Sequence, residues 1–165
     1  MKQGIKIINF KEMYEFLVFL LVKAYPEIHK DKIIDELNDY TIIGICNCIS
    51  NENTYLYDNI CGSFYLKSLS DKKGVFESDD WVLFNSNIGL FIFHTNEKGH
   101  LKECEFFYRA EYYPVFFLDI VKKFTSKSYF NIFLKCLDYN NVKYRNLDYL
   151  KNEFRVSDIN VIDVE

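Results

Sequence analysis

Across residues 101–124 the spacing of apolar side chains changes from a period of two to helical spacing. Cys104, Phe106 and Tyr108 alternate with Glu103, Glu105 and Phe107, which predicts a strand with one apolar and one largely polar face. After Pro114, the residues Val115, Phe116, Phe117, Leu118, Ile120, Val121 and Phe124 follow helical spacing. Pro114 is tolerated there because the N–H it lacks has no partner in a first helical turn. A strand feeding a helix through a short turn is a βα unit, and the amides that open such a helix can cradle an anion.

The same reading extends along the chain. Residues 4–10 alternate weakly and predict a first strand, residues 11–25 predict a helix apolar nearly all round and stopped by Pro26, and residues 27–38 predict an amphipathic helix. Residues 40–49 are β-branched enough for a central strand, with a turn at Asn51-Glu52-Asn53. Residues 54–69 carry strand-like side chains without a readable register, and residues 70–80 predict an exposed loop. Residues 81–84 and 88–95 predict strands, joined through an Asn96–Gly99 turn to the strand described first. Residues 129–136 read as another strand, which makes strand, helix, strand and predicts a parallel right-handed crossover. Residues 140–152 predict a last helix and residues 154–164 a final strand. The expected class is therefore α/β (α+β), in the order β-α-α-β-β-β-α-β-α-β, with a mostly antiparallel central sheet flanked by helices over a single domain, 1–165.

Composition narrows the function classes. With 49% hydrophobic and 18% aromatic residues, 16 Phe and 13 Tyr among 165, long disorder is excluded. A net charge of −4 argues against broad nucleic-acid binding, and the basic residues Lys122, Lys123, Lys127, Lys135, Lys143 and Arg145 read as solvated positions. The apolar run at residues 16–22 is too short to span a bilayer and is preceded by Glu12 and Glu15, so no membrane association and a cytoplasmic location are expected. Five cysteines without a CxxC spacing suggest reduced thiols packed as small hydrophobes, and no metal site is assigned. Cys46 and Cys48, two apart in a predicted strand, share a side; as a pair they would hold a metal only with partners that the sequence does not reveal. His94 and His100 flank the hairpin turn and read as a wet hairpin end.

Three features resemble the GNAT (Gcn5-related) N-acyltransferases: the hairpin NEKGHLKECEFFYRAEYYP, the closing run NNVKYRNLDYLKNEFRV, and the order of elements. The resemblance implies a GNAT-like sheet, acetyl-CoA as cofactor, Glu103 or Glu105 as general base, and Tyr149, five residues before Phe154, as the acid that protonates the leaving thiolate. It also places the acyl-CoA turn at Tyr113, Pro114, Val115, Phe116 and Phe117. There the sequence departs from the family. Tyr113 stands at a basic position, Pro114 and Phe116 stand at glycines, and Phe117 stands at a small residue, so a donor is lost and bulk is added where phosphate would lie. Degenerate members of this kind occur in phages, some within virions. The leading expectation is accordingly a non-catalytic binding or assembly protein without cofactor, acting through a protein partner or self-association. An active acyltransferase with an atypical donor site and an unrelated α/β interaction module are the alternatives.

Overall fold

The computed structural model describes residues 4–48 and 59–160. A two-residue strand, β1 (Ile5–Lys6), and a 3-10 turn at Ile7–Asn9 replace the longer first strand expected over residues 4–10. Helix α1 (Lys11–Ala24) buries Met13, Phe16, Leu17, Leu20, Leu21 and Ala24, the three-and-four spacing that puts side chains on one face. Tyr25 donates the last helical N–H to Leu21 O at 2.9 Å, and Pro26 has none to continue the ladder. Helix α2 (Lys30–Leu37) buries Ile33 and Leu37, and its N-cap is His29, whose Nδ1 accepts from Asp31 N at 3.2 Å.

The remaining strands are β2 (Tyr40–Ile45), β3 (Asn59–Cys61), β4 (Phe64–Ser68), β5 (Trp81–Ser86), β6 (Gly89–Thr95), β7 (Leu101–Arg109) and, at the far end, β10 (Val156–Asn160). With β1 they form an eight-stranded sheet in the order β1-β2-β4-β7-β6-β5-β10, with β3 also on β7. Every pairing in it is antiparallel, which makes the class α+β. The register that residues 54–69 conceal comes from a break. On one side of β7, β4 covers Glu103 and Cys104, and β3 covers Phe107 to Arg109. Between the two strands, Gly62 N donates to Phe106 O at 2.8 Å, and Ser63 Oγ accepts from Phe106 N at 3.0 Å.

Cross-strand partners share a face of a sheet. Phe84, Phe91 and Phe106 lie opposite one another across β5, β6 and β7, with ring centroids 5.3 and 4.9 Å apart. Phe16 of α1 meets Phe91 edge-on at 6.2 Å, so α1 covers this inner face. Aromatic contacts of this geometry contribute about 0.5–1.5 kcal/mol each beyond area burial. One hydrophobic cluster runs from Ile7 to Leu150. No helix among the described residues is long and apolar enough to cross a membrane.

After β7 come a two-residue strand β8 (Tyr113–Pro114), helix α3 (Phe117–Phe124), helix α4 (Lys127–Tyr139), a two-residue strand β9 (Tyr144–Arg145) and helix α5 (Leu147–Glu153). Here the sequence reading needs correction. Residues 129–136 are helical: Ser126 Oγ accepts from Tyr129 N at 3.2 Å as N-cap, and Phe133, Cys136 and Leu137 are the buried positions. A crossover into a strand at residues 129–136 therefore does not form, although β8 and β9 pair in parallel across α3 and α4, and the element order departs from the expected one already after α2, where β2 to β8 stand in place of three strands. Of residues 140–152, expected as one helix, only those from Leu147 on are helical, in α5 with Asn146 as N-cap, and β9 lies before them. The loop 70–80 is laced to the hairpin tip rather than free: Gly74 N donates to Lys98 O at 2.7 Å, Thr95 Oγ1 donates to Glu77 O at 2.6 Å, and Phe76 is buried. The turn expected at residues 51–53 and the end of the strand expected over 154–164 lie outside the described residues.

Candidate functional site

The turn aligned with an acyl-CoA loop is a packing element. Tyr113 has no exposed surface, and its strand pairs in parallel with β9, Tyr113 opposite Tyr144 and Pro114 opposite Arg145. Val115 N donates to Arg145 O at 3.0 Å and Leu118 N to Val115 O at 3.2 Å, so both amides are committed within the chain. Phe116 and Phe117 are buried, Phe116 edge-on to Phe16 at 5.8 Å and Phe117 beside Tyr113 at 6.2 Å. Glycines would leave room for a phosphate at these positions; here aromatic rings enter the core instead.

The proposed base and acid lie apart. Glu103 and Glu105 project from the face of β7 opposite to Phe106. Glu103 stands across from His94 and from Tyr65, and Glu105 Oε2 lies 3.7 Å from His94 Nε2. Tyr149 belongs to α5. Phe154, at the end of that helix, packs on Phe19 of α1 at 5.2 Å and on Phe84 at 6.1 Å, so α5 sits on the inner side. Tyr149 itself is half-buried beneath Arg145, whose guanidinium carbon lies 4.2 Å from the ring centre. The sheet thus separates both glutamates from the tyrosine.

The histidines need correction too. His100 is buried, with Nδ1 2.6 Å from Glu36 Oε1 and Nε2 2.8 Å from Lys72 O. His94 stacks on Trp81 at 6.3 Å and is mostly enclosed. Neither marks a wet hairpin end.

Three of the five cysteines depart from the small-hydrophobe expectation, which fits the buried Cys104 and Cys136. Cys46 and Cys48 follow β2, Cys61 ends β3, and the three sulfurs all lie within 4.8 Å of one another. The pairing of the sheet brings them together: Cys46 N donates to Ser63 O at 3.0 Å, which places the end of β2 beside the residues that follow β3. Cys61 is buried, Cys46 half-buried and Cys48 exposed, so the cluster opens outward through Cys48. Cys61 Sγ lies 3.3 Å from Ser63 Oγ. Hydrogen bonds from Cys48 first, and then from Ser63, hold the Cys61 thiol down to about 6 although burial pushes it up. Cys48 is pushed up by that same bond and then by burial, and burial raises Cys46. Tyr129 is pushed up to about 12, by burial first and then by the charges of Cys48, Cys46 and Cys61. Its hydroxyl is buried with no hydrogen-bond partner among the described residues. The sequence shows Cys46 and Cys48 as a pair, but nothing in its spacing points to Cys61 or Tyr129.

Compared with protein-family models, with characterised proteins and with solved structures, the chain matches none.

Proposed function

We propose that this chain is a binding or assembly protein that performs no acyl transfer, a GNAT-like arrangement whose acyl-CoA turn is filled. The observation that carries this reading is the Tyr113–Phe117 segment. Proline has replaced one donor, the Val115 amide is spent on Arg145, and two phenylalanine rings are buried in the core. The separation of Glu103 and Glu105 from Tyr149 by the sheet supports it, since acyl transfer needs base and acid within reach of one substrate.

The surface that suits a partner is a groove of about 360 Å³ between α1, α2 and α5. Phe19, Val22 and Ile34 line it together with Lys23, Lys30, Lys151 and one acidic residue, Glu15. Lys23 Nζ lies 4.6 Å above the Phe19 ring. An apolar lining with three cations against one carboxylate fits a protein segment with an apolar face and acidic flanks.

Calorimetric titration of the purified chain with acetyl-CoA and with free CoA tests the reading. We expect no saturable heat at millimolar ligand. Micromolar affinity, about 8 kcal/mol of binding free energy, would overturn it. Sedimentation across a concentration series then separates self-association from a foreign partner.

A further inference from the structure

We propose that Cys46, Cys48 and Cys61 form a binding site for a single soft, closed-shell metal ion of the Zn²⁺ or Cu⁺ type. This inference is independent of the acyl-CoA question.

Geometry carries it. An ion held about 2.3 Å from each of three thiolates sets the sulfurs about 3.8–4.0 Å apart. The three sulfurs already converge within 4.8 Å, so a small rotamer adjustment completes the triangle. They come from two consecutive segments, the residues after β2 and the end of β3, which the sheet brings side by side. A disulfide explains the cluster less well. It joins two sulfurs at about 2.05 Å and leaves the third thiol without a role.

Access and electrostatics agree. Cys48 is exposed while Cys61 is buried, so an ion can enter from one side and then be shielded from water. Sulfur ligands select thiophilic ions over Mg²⁺ or Ca²⁺, which prefer oxygen. Each thiol that ligates releases its proton to solvent. The buried Tyr129 hydroxyl, with no hydrogen-bond partner among the described residues, can either donate to a metal-bound sulfur or supply a fourth donor atom.

The test uses the full chain, reduced and stripped with a chelator. It is titrated with Zn²⁺ against a chromophoric competitor, with Cd²⁺ followed by sulfur-to-metal charge-transfer absorption, and with Cu⁺ under anaerobic conditions. We expect one equivalent of a soft ion per chain, no uptake of Mg²⁺, and a rise in melting temperature on loading. Cys61→Ser should abolish binding, but it alters a buried site. Cys48→Ser, at an exposed position, removes a ligand with little risk to folding and should weaken binding strongly. Cys104→Ala should leave binding intact. Zn²⁺ retention that weakens in Tyr129→Phe identifies a four-coordinate site; preferential Cu⁺ retention that is indifferent to Tyr129→Phe identifies a three-coordinate one. The proposal is overturned if reduced wild-type protein leaves all three ions with the competitor. It is equally overturned if Cys46→Ser and Cys48→Ser bind as tightly as the wild type.

Discussion

Nδ1 of His100 lies 2.6 Å from Oε1 of Glu36, and the two side chains are only 3% and 9% exposed. Glu36 Oε1 also accepts from Tyr40 OH at 2.7 Å, and that hydroxyl accepts from Leu101 N at 2.7 Å. The other ring nitrogen, Nε2, faces the Lys72 carbonyl at 2.8 Å. A carbonyl can only accept, so Nε2 must carry a proton, and a further proton is held between Nδ1 and the carboxyl group. The network ties α2, β2, the loop 70–80 and the hairpin tip into one unit.

Removing one partner of such a pair leaves the other buried and unsatisfied, and this loss usually exceeds the net gain from forming the pair. Glu36→Ala should therefore destabilise the protein by about 3–4 kcal/mol. Lys32→Ala, on the exposed side of the same helix, should stay within about 0.5 kcal/mol. Urea denaturation of both variants checks the contrast, and equal midpoints would show that the network adds nothing.

Gly99 holds the hairpin tip in a conformation that side chains resist. Its φ is +79°, and a Cβ there would lie 2.4 Å from the Phe76 carbonyl oxygen. That oxygen belongs to backbone, which cannot swing aside as a side chain would. Gly99→Ala should cost about 1–3 kcal/mol, and the loss should centre on the loop 70–80. Hydrogen exchange reports this as faster exchange of the Gly74 and Phe76 amides, both bonded to the tip. Unchanged protection would refute it.

Periodicity made α1, α2, β7 and α3 legible, because in each a single spacing dominates and burial follows it, whereas β5 and β6, each with three consecutive buried residues, were legible from their apolar, aromatic composition and the turn between β6 and β7. Residues 129–136 satisfy two spacings at once. Phe130, Ile132, Leu134 and Cys136 alternate, while Tyr129, Phe133, Cys136 and Leu137 repeat at helical intervals. What decides is the Ser126 cap and the side on which the core lies, and neither follows from hydrophobicity. The Cys46, Cys48 and Cys61 cluster and the His100–Glu36 pair were illegible for a related reason: each depends on which strands and helices become neighbours. Glu36 and His100 are 64 residues apart. The bulk and missing donor of the Tyr113–Phe117 segment, in contrast, could be read at once. Proline and phenylalanine in place of glycine change the backbone donors and the space whatever the surrounding fold.

Tyr149 serves as a platform for Arg145. The guanidinium carbon sits 4.2 Å from the ring centre, and Arg145 Nε donates to Glu111 O at 2.9 Å, linking α5 to the turn after β7. Cation–π attraction resides in the ring and not in the hydroxyl. Tyr149→Phe should thus leave stability within about 0.5 kcal/mol, whereas Tyr149→Leu should lose about 0.5–1 kcal/mol. Thermal melts of the two variants decide it. A larger loss for phenylalanine than for leucine would assign the hydroxyl a role of its own.

The lowered Cys61 thiol should make the stability of the metal-free protein depend on pH. Its ordinary value of 9.0 is lowered to about 6 in the folded chain, chiefly by the hydrogen bond from Cys48. Between those values the unfolded chain binds more protons at this position than the folded one, so stability rises with pH. The contribution is complete above about pH 9 and is lost as pH falls through about 6. The raised thiols of Cys46 and Cys48 act with the opposite sign, but only above pH 9. Melting temperatures of chelator-treated wild type and Cys61→Ser, measured from pH 5 to 9, isolate the effect by difference. The gap should widen in favour of the wild type from pH 6 upward. In Cys48→Ala, where the first donor is gone, the rise should move towards the ordinary thiol range. A gap that stays flat across this window would mean that Cys61 remains a protonated thiol and that its neighbours do not stabilise a thiolate.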